Sequence, residues 1–100
     1  MPKISKLSAA ECESAIASLS DWQFDGARHA LKKIFVFEDF NQAFAFMTRV
    51  ALYAEAHNHH PEWFNVWNKV DVILTTHDAQ GVTVKDIEMA RFMESISPSS

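Results

Sequence analysis

At 100 residues, 48% of them apolar with only two glycines and three prolines, the chain has material for one core: folding at this length takes roughly 60–65% of the unfolded surface out of water, which excludes a second domain, and the composition excludes disorder. A formal charge of −4 with no run of Lys or Arg repels phosphate backbones, so direct nucleic-acid binding is not expected. The one cysteine, Cys12, cannot close an internal disulfide, residues 1–7 lack the apolar run of a secretory signal, and no stretch nears the ~20 apolar residues of a membrane span; a cytoplasmic protein is expected.

Ser8-Ala9-Ala10-Glu11 is a capping-box sequence and predicts a first helix running to about residue 18. Residues 22–24 and 28–37 are strand-like and flank Asp25-Gly26, a pair suited to the positive φ angles of a tight hairpin turn. Asp39-Phe40-Asn41-Gln42 is a second cap, and Phe40, Ala43, Phe44, Met47, Val50, Ala51 and Ala54 follow at helical spacing over about four turns. Pro61 disfavours the α conformation at His60, so this central helix should stop near Asn58 or His59. Residues 63–67 and 70–76 favour strand around Asn68-Lys69 and predict a second hairpin. Thr83-Val84-Lys85-Asp86 caps a last helix reaching about residue 95, ahead of a polar tail, residues 97–100, expected to be disordered.

The order αββαββα predicts a two-layer α+β domain over residues 1–100, a four-stranded antiparallel sheet with helices packed on one face. Spacing puts Ala45, Phe46, Leu52, Tyr53 and Ala56 on the far side of the central helix, with Arg49 its main charge. A helix apolar all round expects cover on both sides, and in so small a domain the second cover would be another subunit, through a helix or sheet-edge contact. The alternative is a partly exposed apolar face.

Three of the five histidines fall in His57-Asn58-His59-His60-Pro61. With Asn68 and Lys69 as the turn, Trp67 pairs with Val70, Phe64 with Ile73 and His60 with His77, whose Cβ atoms would be roughly 4.5–5.5 Å apart, with His59 next along. A free imidazole titrates at about 6.5, so two of them can serve as acid and base at neutral pH, which suits a proton-in, proton-out reaction. Glu55 precedes His59 by four residues and could hold its tautomer; an exposed ion pair worth a few tenths of a kcal/mol fits that spacing equally well. Three imidazoles also match a catalytic zinc, but there is no HExxH and no cysteine pair, and adjacent histidines on a regular element do not aim easily at one ion, so no metal is expected. Trp63, Phe64 and Trp67 read as core, with one able to wall a flat ligand. Asp86, at the third position of its helix, has a sufficient structural role against the positive helix end. His29 and His57 receive no role.

Glu55, His59-His60-Pro61-Glu62-Trp63-Phe64-Asn65-Val66, Asn68-Lys69-Val70 and Thr76-His77-Asp78, in that order, closely resemble the pterin-4a-carbinolamine dehydratases. The likeness extends over nearly the whole chain, through Trp22, Asp39-Phe40-Asn41, Phe46-Met47-Thr48-Arg49-Val50-Ala51 and Asp86-Ile87. It implies dehydration of a 4a-hydroxytetrahydropterin, the product of aromatic amino-acid hydroxylation, to quinonoid dihydropterin in tetrahydropterin recycling. The pterin is then the substrate, no cofactor is needed, and a functional link to an aromatic amino-acid hydroxylase follows. The resemblance implies that His59, His60 and His77 line the site, His59 and His77 as acid/base groups and His60 as substrate orienter. Pro61, Thr76, Asp78 and Ala79 match positions that touch the pterin, the last through backbone, while Glu55 and Asp86 match supporting acids and Trp63 is grouped with them. Asn58 departs from the pattern, standing where animal relatives carry an acid beside the first histidine. The resemblance also implies a homodimer or homotetramer. Animal relatives bind a homeodomain transcription factor through the helix face that otherwise builds their tetramer, so a non-enzymatic dimerisation cofactor is the alternative, as is a role in pterin cofactor assembly. His77 together with the histidine pair favours the enzyme.

Overall fold

Each of the three helices begins on a side chain that replaces a missing backbone partner. The computed structural model describes residues 4–98, so residues 99 and 100 of the expected tail lie outside the described residues. The elements are α1 (Ala9–Ile16), β1 (Gln23–Asp25), β2 (Ala30–Val36), α2 (Phe40–His57), β3 (Glu62–Val66), β4 (Lys69–Leu74), a 3₁₀ turn (His77–Ala79) and α3 (Val84–Ile96). At α1 the Ser8 hydroxyl accepts the Glu11 N–H at 3.1 Å while the Glu11 carboxylate accepts the Ser8 N–H at 2.7 Å. At α2 the Asp39 carboxylate accepts the Gln42 N–H at 2.8 Å. Thr83 and Asp86 form a reciprocal box at α3. Caps of this kind contribute about 1 kcal/mol each.

The strands form one antiparallel sheet in the order β1-β2-β4-β3. Leu31, Phe35, Val70, Val72 and Leu74 project to the face the helices cover and are buried with Cys12 and Ile16 of α1, Phe46, Val50 and Ala54 of α2, and Ile87 and Met93 of α3. Full burial of one such aliphatic or aromatic side chain is worth about 1.5–3 kcal/mol. The expected α+β, αββαββα architecture is therefore the one observed.

Three local expectations are corrected. The first hairpin closes through residues 26–29, with Asp25 paired to Ala30, rather than through a tight Asp25-Gly26 turn. The Asp25 carboxylate accepts the N–H groups of Ala27 and Arg28 at 3.0 and 3.4 Å, an Asx turn that lengthens the loop, and the positive φ falls on His29 (53°).

In the second hairpin Val66 pairs with Lys69, so the turn is Trp67-Asn68 and the pairing of His60 with His77 does not occur. Asn68 is held at the turn because its side-chain N–H donates to Phe37 O at 2.9 Å and its own carbonyl accepts the Phe37 N–H at 2.8 Å. Asn65 spans the loop by donating to Trp67 O and Lys69 O at 3.2 and 2.8 Å, and Trp67 takes the left-handed backbone (φ 48°). This register puts Trp63 on the core face, while Phe64 on the opposite face and Trp67 in the turn are exposed rather than core.

The apolar phase of α2 also differs. Ala43, Phe46, Val50 and Ala54 are buried and Tyr53 packs against them, whereas Phe40, Phe44 and Leu52 are exposed, the last two by 55% and 69%. A helix apolar around its circumference carries no periodic signal for which side faces the sheet.

Candidate active site

The end of α2 turns one histidine inward. Asn58 adopts the left-handed conformation (φ 50°), in which Asn is tolerated, and its N–H and that of His59 both return to Ala54 O. That single reversal redirects the chain, so His59 is 8% exposed while His60 stays open. Pro61 then carries the chain into β3.

His59 Nε2–H donates to Asp86 Oδ1 at 2.6 Å, and Asp86 is fully buried. The other oxygen of Asp86 accepts the Thr83 N–H at 2.9 Å and the Thr76 hydroxyl at 2.8 Å, while the Thr83 hydroxyl donates to Thr76 Oγ1 at 2.7 Å. An ionised carboxylate can only accept, so this contact fixes the His59 tautomer and leaves Nδ1 to exchange a proton. Asp86 thus has two roles at once, helix cap and histidine anchor.

His60 and His77 have carboxylate partners of their own. His60 Nε2–H donates to Glu55 Oε2 at 2.6 Å on the open surface. Glu55 was expected beside His59; the left-handed Asn58 breaks the i, i+4 relation and hands it His60 instead. His77 Nε2–H donates to Glu62 Oε2 at 3.0 Å, and Glu62 also receives both prongs of the Arg28 guanidinium, at 3.0 and 3.1 Å. Those hydrogen bonds, Arg28 first and His77 second, pull the Glu62 carboxyl down to about 2.

His59, His60, His77, Thr76, Asp78 and Lys85 line one open cleft of about 200 Å³. Ala79 lines an adjoining depression that shares Thr76, Asp78 and Lys85. The three histidines are gathered as expected but by a different route. Beyond β4 the chain continues to Thr76, bridged to Gly81, and the 3₁₀ turn delivers His77 beside the end of α2. The Thr76 hydroxyl is spent on the Asp86 network. Pro61 and Trp63 lie outside the cleft lining. His57 is held by Tyr53, its Nδ1–H on Tyr53 O at 2.9 Å and its ring stacked on the phenol at 3.9 Å. Among the described residues no group of three or more His, Cys, Asp or Glu side chains is arranged to hold a metal ion. No helix of the described residues is long and apolar enough to cross a membrane.

Sequence reasoning missed Arg28, Glu62 and Lys85. Lys85 sits inside the recognised cap tetrapeptide, which could have flagged it. Arg28 and Glu62 are 34 positions apart, and no local pattern joins them.

The Pterin 4 alpha carbinolamine dehydratase family model matches residues 5–96. A protein of Rhizorhabdus wittichii, provisionally named a pterin-4-alpha-carbinolamine dehydratase, is 53% identical over 94 residues, covering 94% of this chain and 97% of its own. One of Paraburkholderia xenovorans with the same provisional name is 51% identical, covering 94% and 98%. The crystal structure of a transcriptional coactivator/pterin dehydratase from Brucella melitensis superposes with a TM-score of 0.91 at 48% identity, covering 94% of this chain and all of that one. A pterin dehydratase-like protein identified as a RuBisCO assembly factor in the alpha-carboxysome shares the fold, with a TM-score of 0.69 at 22% identity over 82% of this chain and 95% of that one.

The depressed Glu62 carboxyl carries a pH signature. Its folded value of about 2 lies below the ordinary 4.5, so its contribution to stability is complete above pH 4.5 and drains away as pH falls toward 2. Glu62 is more than a third exposed, which screens the effect. Denaturant titrations of wild type and Glu62→Gln should therefore differ modestly at pH 6 and converge between about pH 4.5 and 2.

Proposed function

This chain belongs to the Pterin 4 alpha carbinolamine dehydratase family, and from that premise we propose that it is a 4a-hydroxytetrahydropterin dehydratase acting by histidine acid/base chemistry. The observation that carries the proposal is the convergence on one cleft of three imidazoles, each hydrogen-bonded to a carboxylate of its own.

In the proposed reaction the C4a–O bond breaks as a proton reaches the hydroxyl, water departs, and N5 gives up its proton while the N5=C4a double bond forms. Two proton transfers require two groups, and His59 and His77 are those assigned, with His60 orienting the ring. His59 is the more rigid, its tautomer set by buried Asp86. Asp78, which lines the cleft, and the backbone at Ala79, in the adjoining depression, are assigned to the polar edge of the pterin. General acid/base catalysis of this kind contributes typically about 10²–10⁴-fold, on the order of 3–5 kcal/mol of barrier. The pterin is the substrate and the mechanism uses no cofactor. In cells the reaction would serve tetrahydropterin recycling behind an aromatic amino-acid hydroxylase.

The exposed apolar side of α2, Phe40, Phe44 and Leu52, favours a second reading beside the first, self-association into a homodimer or homotetramer. A partner-binding role as a coactivator would use the same face.

Freshly generated 4a-hydroxytetrahydropterin, followed by absorbance, should decay faster with chelator-treated protein than without it. His77→Ala, on the open surface, and His59→Ala, which also strips a donor from buried Asp86 and so lowers stability, should each lower kcat/KM by about a hundredfold in the folded protein; unchanged rates in both would exclude the mechanism. Light scattering at micromolar concentration should show an oligomer, and a strict monomer would contradict the α2 assignment.

A further inference from the structure

Outside the expected site, the end of the first hairpin, Arg28-His29, is tied to the elements that carry His77. His29 holds the segment that carries His77 at both ends. Its carbonyl accepts the Thr75 hydroxyl at 3.1 Å, and its Nδ1 accepts the Val82 N–H at 3.0 Å. Gly81 is required there, because a Cβ would come within 2.6 Å of that same Nδ1. Arg28, one residue earlier, reaches over the end of β4 to β3 and grips Glu62 with two parallel hydrogen bonds, and Glu62 Oε2 accepts His77 Nε2–H. A two-pronged guanidinium–carboxylate pair fixes direction as well as distance, which a lysine cannot do.

We propose that Arg28 is a positioning residue for His77, acting through Glu62: the guanidinium orients the carboxylate, and the carboxylate holds the ring with Nδ1 as the nitrogen free to exchange a proton. Arg28 also balances the Glu62 charge, so the ring meets a neutral pair rather than a bare anion. The other titratable groups on the cleft are Asp78 beside His77, His59 and His60 from the end of α2, and Lys85 from α3. They are common to every variant below and cancel in the comparison.

The two partners then act in opposite senses. In Glu62→Gln the nearest charge to His77 is the cation of Arg28, which opposes a proton on the ring. In Arg28→Gln it is the unbalanced anion of Glu62, which favours one. A role limited to holding the hairpins together would move both variants alike.

The test is an NMR titration of the His77 ring in the full-length protein without any pterin. The midpoint should move by about half a pH unit to lower pH in Glu62→Gln and to higher pH in Arg28→Gln. Arg28→Lys keeps the charge and should leave the midpoint in place; it also stands in if Arg28→Gln does not fold, since it should still loosen the ring, seen as broadened His77 signals. Only the kinetic readout rests on the dehydratase reading: the His77 limb of the kcat/KM profile should follow the same opposed displacements, with kcat down on the order of tenfold and KM little changed. Coincident His77 titrations in wild type, Glu62→Gln and Arg28→Gln, or displacements in the same direction, would overturn the proposal. Opposed titrations with no dehydration by any of the proteins would support it and refute the dehydratase reading instead.

Discussion

A carboxylate taken wholly out of water loses several kcal/mol of hydration unless donors replace it, and Asp86, with no exposed surface, has its donors drawn from three different parts of the fold. The Thr83 N–H belongs to the start of α3, the Thr76 hydroxyl to the extension of β4, and the His59 ring to the reversal that ends α2. Satisfying this one anion therefore docks two helices and a strand at a single point. The account closes among the described residues, where no buried side-chain nitrogen or oxygen lacks a partner. Replacing any of the three donors leaves the others to carry a charge they cannot solvate.

The same anion sets a gradient across the site. His59 is buried and oriented, whereas His60 and His77 stand open with partners in contact with water. A reaction that moves two protons on a bound ring benefits from one group held rigidly and others reachable from solvent, because the rigid group fixes geometry while the open ones exchange protons quickly. The proposed function rests on the site rather than on the two-layer fold, which by itself implies no chemistry.

What the sequence discloses follows the range of the interactions. Ser8, Asp39 and Thr83 are legible as caps because each acts on an amide two or three residues away, and all three cap their helices. The hairpins are legible as hairpins, yet their loops are not: Asn68 lies one position later in its turn than expected because it is tied to Phe37, just past the end of β2, and His29 rather than Gly26 bends backward because of the Asp25 side chain. The convergence of His59, His60 and His77 on one cleft is as expected, although the strand pairing that suggested it does not exist. By spacing Asp86 was legible only as a helix-end acid, and its place as a supporting acid of the site came from the resemblance alone. Its grip on His59, like that of Arg28 on Glu62, spans a sequence distance over which no pattern of residue types is informative.

The central claim is that one cleft, lined by His59, His60 and His77, receives the pterin. Protein carrying ¹⁵N-labelled histidine, titrated with an unreactive dihydropterin and followed by the ring nitrogen signals, tests it most directly, because His29 and His57 report from outside the cleft within the same molecule. The account predicts that the signals of His59, His60 and His77 shift together and saturate with one affinity while those of His29 and His57 stay in place. Binding that moves His57 or His29 and leaves the three cleft histidines undisturbed would contradict it.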